Sequence, residues 1–133
     1  MRVYRIKMKD SFASAVVSLA YPMTSMHEKM SEMNEEKYID VDVMESVLSK
    51  VKSARDMIVK SFNSVRGTLR EKTKEFALSI VKLMEKARDD ISALLKYYAE
   101  DVSSETLESL LEEIDRDFSD ADKTIDEFYK TED

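Results

Sequence analysis

The chain has a single histidine, in the run His27-Glu28-Lys29-Met30-Ser31. Its first two residues imitate the zinc-protease pattern H-E-x-x-H, in which two histidines one helical turn apart share a metal and the glutamate acts as base. Position 31 is serine, so the second ligand is missing and no other histidine exists to supply it. His27 is therefore expected on a partly exposed helix face, without a metal role. Helical di-iron centres need Glu-x-x-His pairs pointing inward, and the chain has none. Its densest carboxylates, Glu112, Glu113, Asp115, Asp117, Asp120 and Asp122, mostly flank an apolar stripe and suit a solvated face.

Residues 115–126 carry the acid density of a calcium loop, but the central glycine is absent and Phe118 and Ile125 keep helical spacing. Weak divalent-ion binding is the most that this run predicts, short of a dedicated site. The lack of cysteine removes disulfides, thiolate metal sites and cysteine nucleophiles together. One glycine, Gly67, leaves no phosphate-cradling loop, and the serines and lysines have no paired base for a triad. The expectation is a non-enzyme with no catalytic, cofactor-binding or metal residues.

The elements that carry these residues are long helices. From residue 47 to residue 98 an apolar repeat of eleven residues runs through three slots. The first is Val47, Ile58, Leu69, Ile80, Ile91; the second is Val51, Phe62, Thr73, Met84, Leu95; the third is Ala54, Val65, Phe76, Ala87, Tyr98. Only Thr73 breaks the set. Three core positions in eleven residues is a period of about 3.67, close to a relaxed α-helix, so the stripe barely drifts. A second stripe, Leu107, Leu111, Ile114, Phe118, Ala121, Ile125 and Phe128, alternates steps of four and three, as helices do when they pack on each other. One glycine and one proline in 133 residues argue against a β-rich or loop-rich fold.

These signals predict one all-α domain, residues 1–133, built as an antiparallel bundle of three or four main helices. Residues 1–10 alternate like a short strand or extended arm. Residues 11–35 divide into short helices: one ends at Pro22, and Thr24 or Ser25 caps another bearing Met26, Met30 and Met33. Asp42-Val43-Met44-Glu45 has the spacing of a capping box at the head of a helix over 43–65. Thr68-Leu69-Arg70-Glu71 has the same spacing directly after Gly67, which favours a break there and a second long helix over 69–99. The alternative is one continuous helix of about 55 residues, about 80 Å long. Ser103 or Ser104 caps an acidic last helix over 104–131.

Charge is divided unevenly. Residues 99–133 hold fourteen acids against three bases, a net of −11, which leaves +4 on the rest of a chain whose total is −7. The acidic helix is expected to fold back on the 69–99 helix, with Arg66, Arg70 and Lys74 facing Glu112, Asp115 and Asp122 as charge-pairing candidates. The competing reading is head-to-tail pairing of acidic and basic ends between subunits. Overall acidity disfavours nucleic acid. No stretch approaches the ~20 apolar residues that span a bilayer, and the run 12–21 is too short and too polar for a secretion signal.

The functional expectation is a structural or assembly protein, such as a virion, filament or scaffold subunit, acting through helix packing and self-association. A cytoplasmic location, or incorporation into an assembled particle, goes with it. Phe12, Val16, Leu19, Met26, Met30 and Met33 are the candidate interaction surface, since methionine clusters can line adaptable grooves. Homo-oligomers or a partner protein are the expected partners. Two other readings stand beside this one: an adaptor that binds a partner helix, and an amphipathic protein lying on a lipid surface.

Overall fold

The computed structural model describes the backbone of residues 11–65, 67 and 70–131. The expected N-terminal arm lies outside these described residues, as do Arg66, Thr68 and Leu69. Four helices form: α1 Ser11–Glu36, α2 Val41–Val65, α3 Glu71–Ala99 and α4 Ser104–Thr131. No strand is present among the described residues. Each helix packs on its neighbours in the chain and α4 closes on α1, so the ring order is α1, α2, α3, α4. With short turns between them, this is the up-down-up-down arrangement.

The stripes predicted from periodicity face one shared core. Val47, Val51 and Ile58 of α2, and Phe76, Ile80, Met84, Ala87 and Ile91 of α3, are buried. They meet Leu111, Ile114, Phe118, Ala121 and Ile125 of α4. Thr73, the one polar residue of the repeat, is buried as well, whereas Tyr98 at its far end is 45% exposed.

At one end of the bundle each helix contributes one phenylalanine. Phe12 of α1 meets Phe62 of α2 edge-on at 6.1 Å and Phe76 of α3 at 6.3 Å. Phe76 in turn stacks on Phe128 of α4 at 4.1 Å. Such pairs contribute ~0.5–1.5 kcal/mol each beyond the area they bury.

Several local expectations need correction. Pro22 does not end a helix: α1 runs through it without interruption. Proline removes one N–H, which orphans the carbonyl of Ser18 four residues earlier. Both Ser18 and Pro22 are solvent-exposed, so water can take that carbonyl, and the remaining cost of ~3 kcal/mol is offset by the buried residues of α1 on either side. Neither Thr24 nor Ser25 starts a helix; the Thr24 hydroxyl instead donates back to the Ala20 carbonyl at 3.2 Å.

The cap of α2 is Asp40, whose Oδ1 accepts from the Val43 N–H at 3.2 Å, and not Asp42. For α4 the cap is Ser103, whose Oγ accepts from the Thr106 N–H. The chain does break around Gly67, but α3 begins at Glu71, later than the expected residue 69. Its N-cap is Arg70, which makes no side-chain capping bond.

The left-handed positions that end helices are occupied by Lys37 (φ 56°) and Asp101 (φ 58°), while Gly67 has no positive φ. Behind Asp101 the Val102 N–H reaches the Tyr97 carbonyl and the Asp101 N–H the Tyr98 carbonyl, the paired bonds of a Schellman ending.

Gly67 is thus glycine without a backbone need for it. A Cβ added there would meet nothing within 4 Å. Gly67→Ala is expected to leave the fold intact and raise stability by about 0.4–1 kcal/mol, through a less flexible unfolded chain. Urea unfolding checks this, and a loss of stability would count against the turn described. Phe12→Ala removes the hub of the aromatic contacts and is expected to cost about 3–5 kcal/mol. Because the contacts lie within one chain, that loss should be the same at every protein concentration.

Candidate functional site

Arg55 of α2 donates to Glu85 of α3 at 3.0 Å, and further polar side-chain bonds join α4 to its neighbours along both of its seams. On the α3 side, Lys86 and Asp90 lie one turn apart on α3, opposite Glu113 and Asp117 one turn apart on α4. This i, i+4 spacing aligns both pairs at one level. The Lys86 ammonium donates to Asp117 Oδ1 at 2.6 Å, to Asp90 Oδ2 at 3.0 Å and to Glu113 Oε1. Arg116 holds the other oxygen of Glu113 at 2.8 Å.

Asp117 is the unusual member. It is only 3% exposed, and its Oδ2 is buried with no hydrogen-bond partner. An unsatisfied buried oxygen costs about 1–3 kcal/mol, more when charged. Burial above all, then the neighbouring Asp90 carboxylate, push the Asp117 carboxyl up to about 7 against the downward pull of Lys86. Lys86 shows the converse: burial pulls its ammonium down, but bonds to Asp117, Glu113 and Asp90 hold it above the ordinary lysine value.

On the α1 side, Thr24, His27, Ser31 and Asn34 form one face of α1 against α4. The Thr24 hydroxyl, which has one proton to share between the Ala20 carbonyl and Asp122, lies 3.2 Å from Asp122; Ser31 donates to Asp115 at 2.6 Å, and the Asn34 amide to the other Asp115 oxygen at 3.2 Å. The His27 ring lies between the two acids, with Nε2 3.6 Å from Asp115 and Nδ1 3.6 Å from Asp122. The carboxylates approach opposite sides of the ring, so they do not converge on a point where a metal could sit. His27 is half-buried, as its helix position predicted.

The remaining sequence candidates take other roles. Phe12, Val16, Leu19, Met26, Met30 and Met33 are all buried in the chain's own core, at most 2% exposed. All six side chains are turned inward, although Leu19 and Met26 also border a groove between α1 and α2. Their stripe finds its partners within the same molecule. Arg66 lies outside the described residues; Arg70 is exposed as the N-cap of α3, and Lys74 is half-buried one turn later.

The acids expected to face this basic trio face α1 instead. Glu112 lies 3.8 Å from Lys37, and Asp115 and Asp122 are held as above. The acidic helix does fold back on α3, but the pairing runs through Lys86. Residues 115–126, compared above with a calcium loop, are helical throughout.

A groove of about 470 Å³ opens between α1 and α2. Ser18, Ser25, Ser49 and Ser53 line it together with Met57, and Lys50 is its one ionic group. Leu19 and Met26, two of the six interaction candidates read from the sequence, also line it, whereas sequence reasoning missed Asp117. A signal for Asp117 existed: it stands three residues after Ile114 and four before Ala121, on the buried stripe itself.

Comparison with known proteins finds no match, whether to a family model, a curated protein or a solved structure.

Asp117 binds its proton more tightly in the fold than in the open chain, where the ordinary value is 3.8. Its contribution is therefore complete below pH 3.8 and lost as pH rises to about 7. Lys86 and Asp90 from α3, and Glu113 with its Arg116 on α4, are the charges around it. Between pH 5 and pH 7 the unfolding free energy should fall by at most about 1.4 kcal/mol per pH unit from this source. Asp117→Asn, which imitates the neutral acid, should remove that slope. Denaturant curves of the two proteins that stay parallel across the range would count against a retained proton.

Proposed function

We propose that this protein is a non-enzymatic assembly subunit, which associates with copies of itself by bringing the acidic outer face of α4 against the α1–α2 face of a neighbour. One observation carries the reading: the acidic helix and the groove stand on different sides of the bundle. In the ring of helices α2 lies across from α4, so the two faces cannot meet within one chain.

Glu105, Glu108, Asp120 and Glu127 are exposed along α4. The groove carries Lys50 with no acid among its lining residues. Small serines at its rim allow close approach of a helix. Such a contact is heterologous, the same two unlike patches at every junction, and it propagates into a ring or filament. Charge supplies encounter and register more than affinity, so reversible assembly is the expected behaviour.

The rival lipid-surface reading has less to draw on. The apolar face of the eleven-residue repeat is turned into the core, and lipid could reach it only if the bundle opened. No helix among the described residues is long and apolar enough to cross a membrane.

Light scattering with absolute mass, over a concentration series at about 50 mM and about 500 mM salt, tests the proposal. The expected result is a mass above the 15.4 kDa of one chain, growing with concentration at low salt and falling toward one chain at high salt. Lys50→Glu should weaken assembly at low salt without changing the unfolding midpoint by more than a degree or two. A mass of one chain under every condition would overturn self-assembly and turn attention to an adaptor with a separate partner.

A further inference from the structure

The carboxylates around Lys86 have the makings of a cation site. Asp90, Glu113 and Asp117 each place an oxygen within 4.8 Å of the other two. On an ion of the Mg²⁺ or Mn²⁺ size, with oxygens at about 2.1 Å, three ligands on one face of the octahedron stand about 3.0 Å from one another. Any gap beyond that is closed by rotation of the Asp90 and Glu113 side chains, which are only half-buried. Acid density alone would carry little. The second observation is Asp117 Oδ2, fully buried and without a hydrogen-bond partner, on a residue 3% exposed. A tethered ammonium satisfies only the other oxygen of that carboxylate.

We propose that Asp90, Glu113 and Asp117 form a divalent-cation site at the α3–α4 seam, in which the Lys86 ammonium holds the place of the metal. Charge favours the exchange. With all three carboxylates ionised and Lys86 and Arg116 as the cations, the cluster keeps a surplus of one negative charge. A divalent ion in place of the ammonium brings the cluster to neutrality. Lys86 is 48% exposed, so its head can swing into water while the stem stays on the helix. All three ligands are carboxylate oxygens, which select hard cations over zinc or copper. Asp90 and Glu113 are only half-buried, leaving room for water to fill the remaining coordination positions. This proposal is independent of the assembly reading and survives its failure.

Manganese is the probe, because its free ion can be counted by electron paramagnetic resonance. Wild-type protein is expected to take up one Mn²⁺ per chain. Lys86→Met, which removes the competing ammonium, should bind at least about tenfold more tightly, and Glu113→Gln at least about tenfold more weakly than wild type. Asp120→Asn, an exposed acid on the same helix, should bind as wild type does. Asp117→Asn should abolish binding; if it does not fold, the half-buried Glu113 decides alone. The proposal is overturned if Lys86→Met binds no more tightly than wild type. It is equally overturned if Glu113→Gln and Asp120→Asn behave alike, which is the pattern of diffuse attraction to an acidic helix.

Discussion

The bundle depends on the chain turning back between α2 and α3, and four phenylalanines at that end hold the turn. Nothing local compels it. The eleven-residue phase runs on from α2 into α3, and a single glycine costs a helix only ~1 kcal/mol. Arg70 makes no side-chain capping bond to open α3, so the usual ~1 kcal/mol of a good cap is absent. Against this, each buried phenylalanine gains ~1.5–3 kcal/mol over exposure. Phe62 and Phe76 flank the turn, and both meet Phe12. A continuous rod would move them tens of ångströms apart and leave α1 and α4 with no closed surface to cover. Packing between helices therefore outweighs propensity along the chain.

This explains which features were legible. Stripe positions follow from a period that any helix must obey, so the core residues of α2, α3 and α4 could be read directly. Periodicity does not say whether a stripe meets its own chain or another. Met26, Met30 and Met33 consequently looked available to partners, although α1 buries them against α2 and α4. Methionine suits that place because its flexible thioether fills irregular gaps between differently tilted neighbours.

Spacing puts the cap of α2 two residues late because Asp40 and Asp42 offer nearly equivalent side chains and only the turn decides; at α4 it does not choose between Ser103 and Ser104 for the same reason, and Ser103 caps. Pro22 misled for a related reason. A proline is most expensive when the carbonyl it orphans is buried, and exposure is a tertiary property. Lys86, Asp90, Glu113 and Asp117 come together from two helices, and no spacing within either one reveals their meeting.

The α4 helix is held differently from the rest. Its apolar stripe is shared with the core, but polar bonds fasten it on both sides: Ser31, Asn34 and Thr24 from α1, and Lys86 from α3. Exposed ion pairs contribute only ~0–1 kcal/mol each. Their value lies in register, since a one-turn slip of α4 would separate Asp115 from Ser31 and Asp117 from Lys86 together. Apolar side chains alone tolerate such slips far better. Asp117 does not fit this account so simply. A buried ion pair is often no more stable than a hydrophobic pair of the same shape, and here one carboxylate oxygen remains unsatisfied.

That excess has a single origin on both faces of α4. The helix carries ten carboxylates against three bases of its own, Arg116, Lys123 and Lys130. Outward, the surplus lies in water, where screening makes it cheap and a basic surface of another molecule can answer it. Inward, at the α3 seam, Asp117 is withdrawn from water, and three carboxylates share one ammonium and one guanidinium. The molecule can relieve that crowding by holding a proton on Asp117 or by accepting a doubly charged ion in place of Lys86. A proton removes one negative charge and leaves Lys86 in position. A divalent ion removes two and releases it. Proton and metal therefore compete for the same carboxylates, and lower pH must weaken any cation bound there.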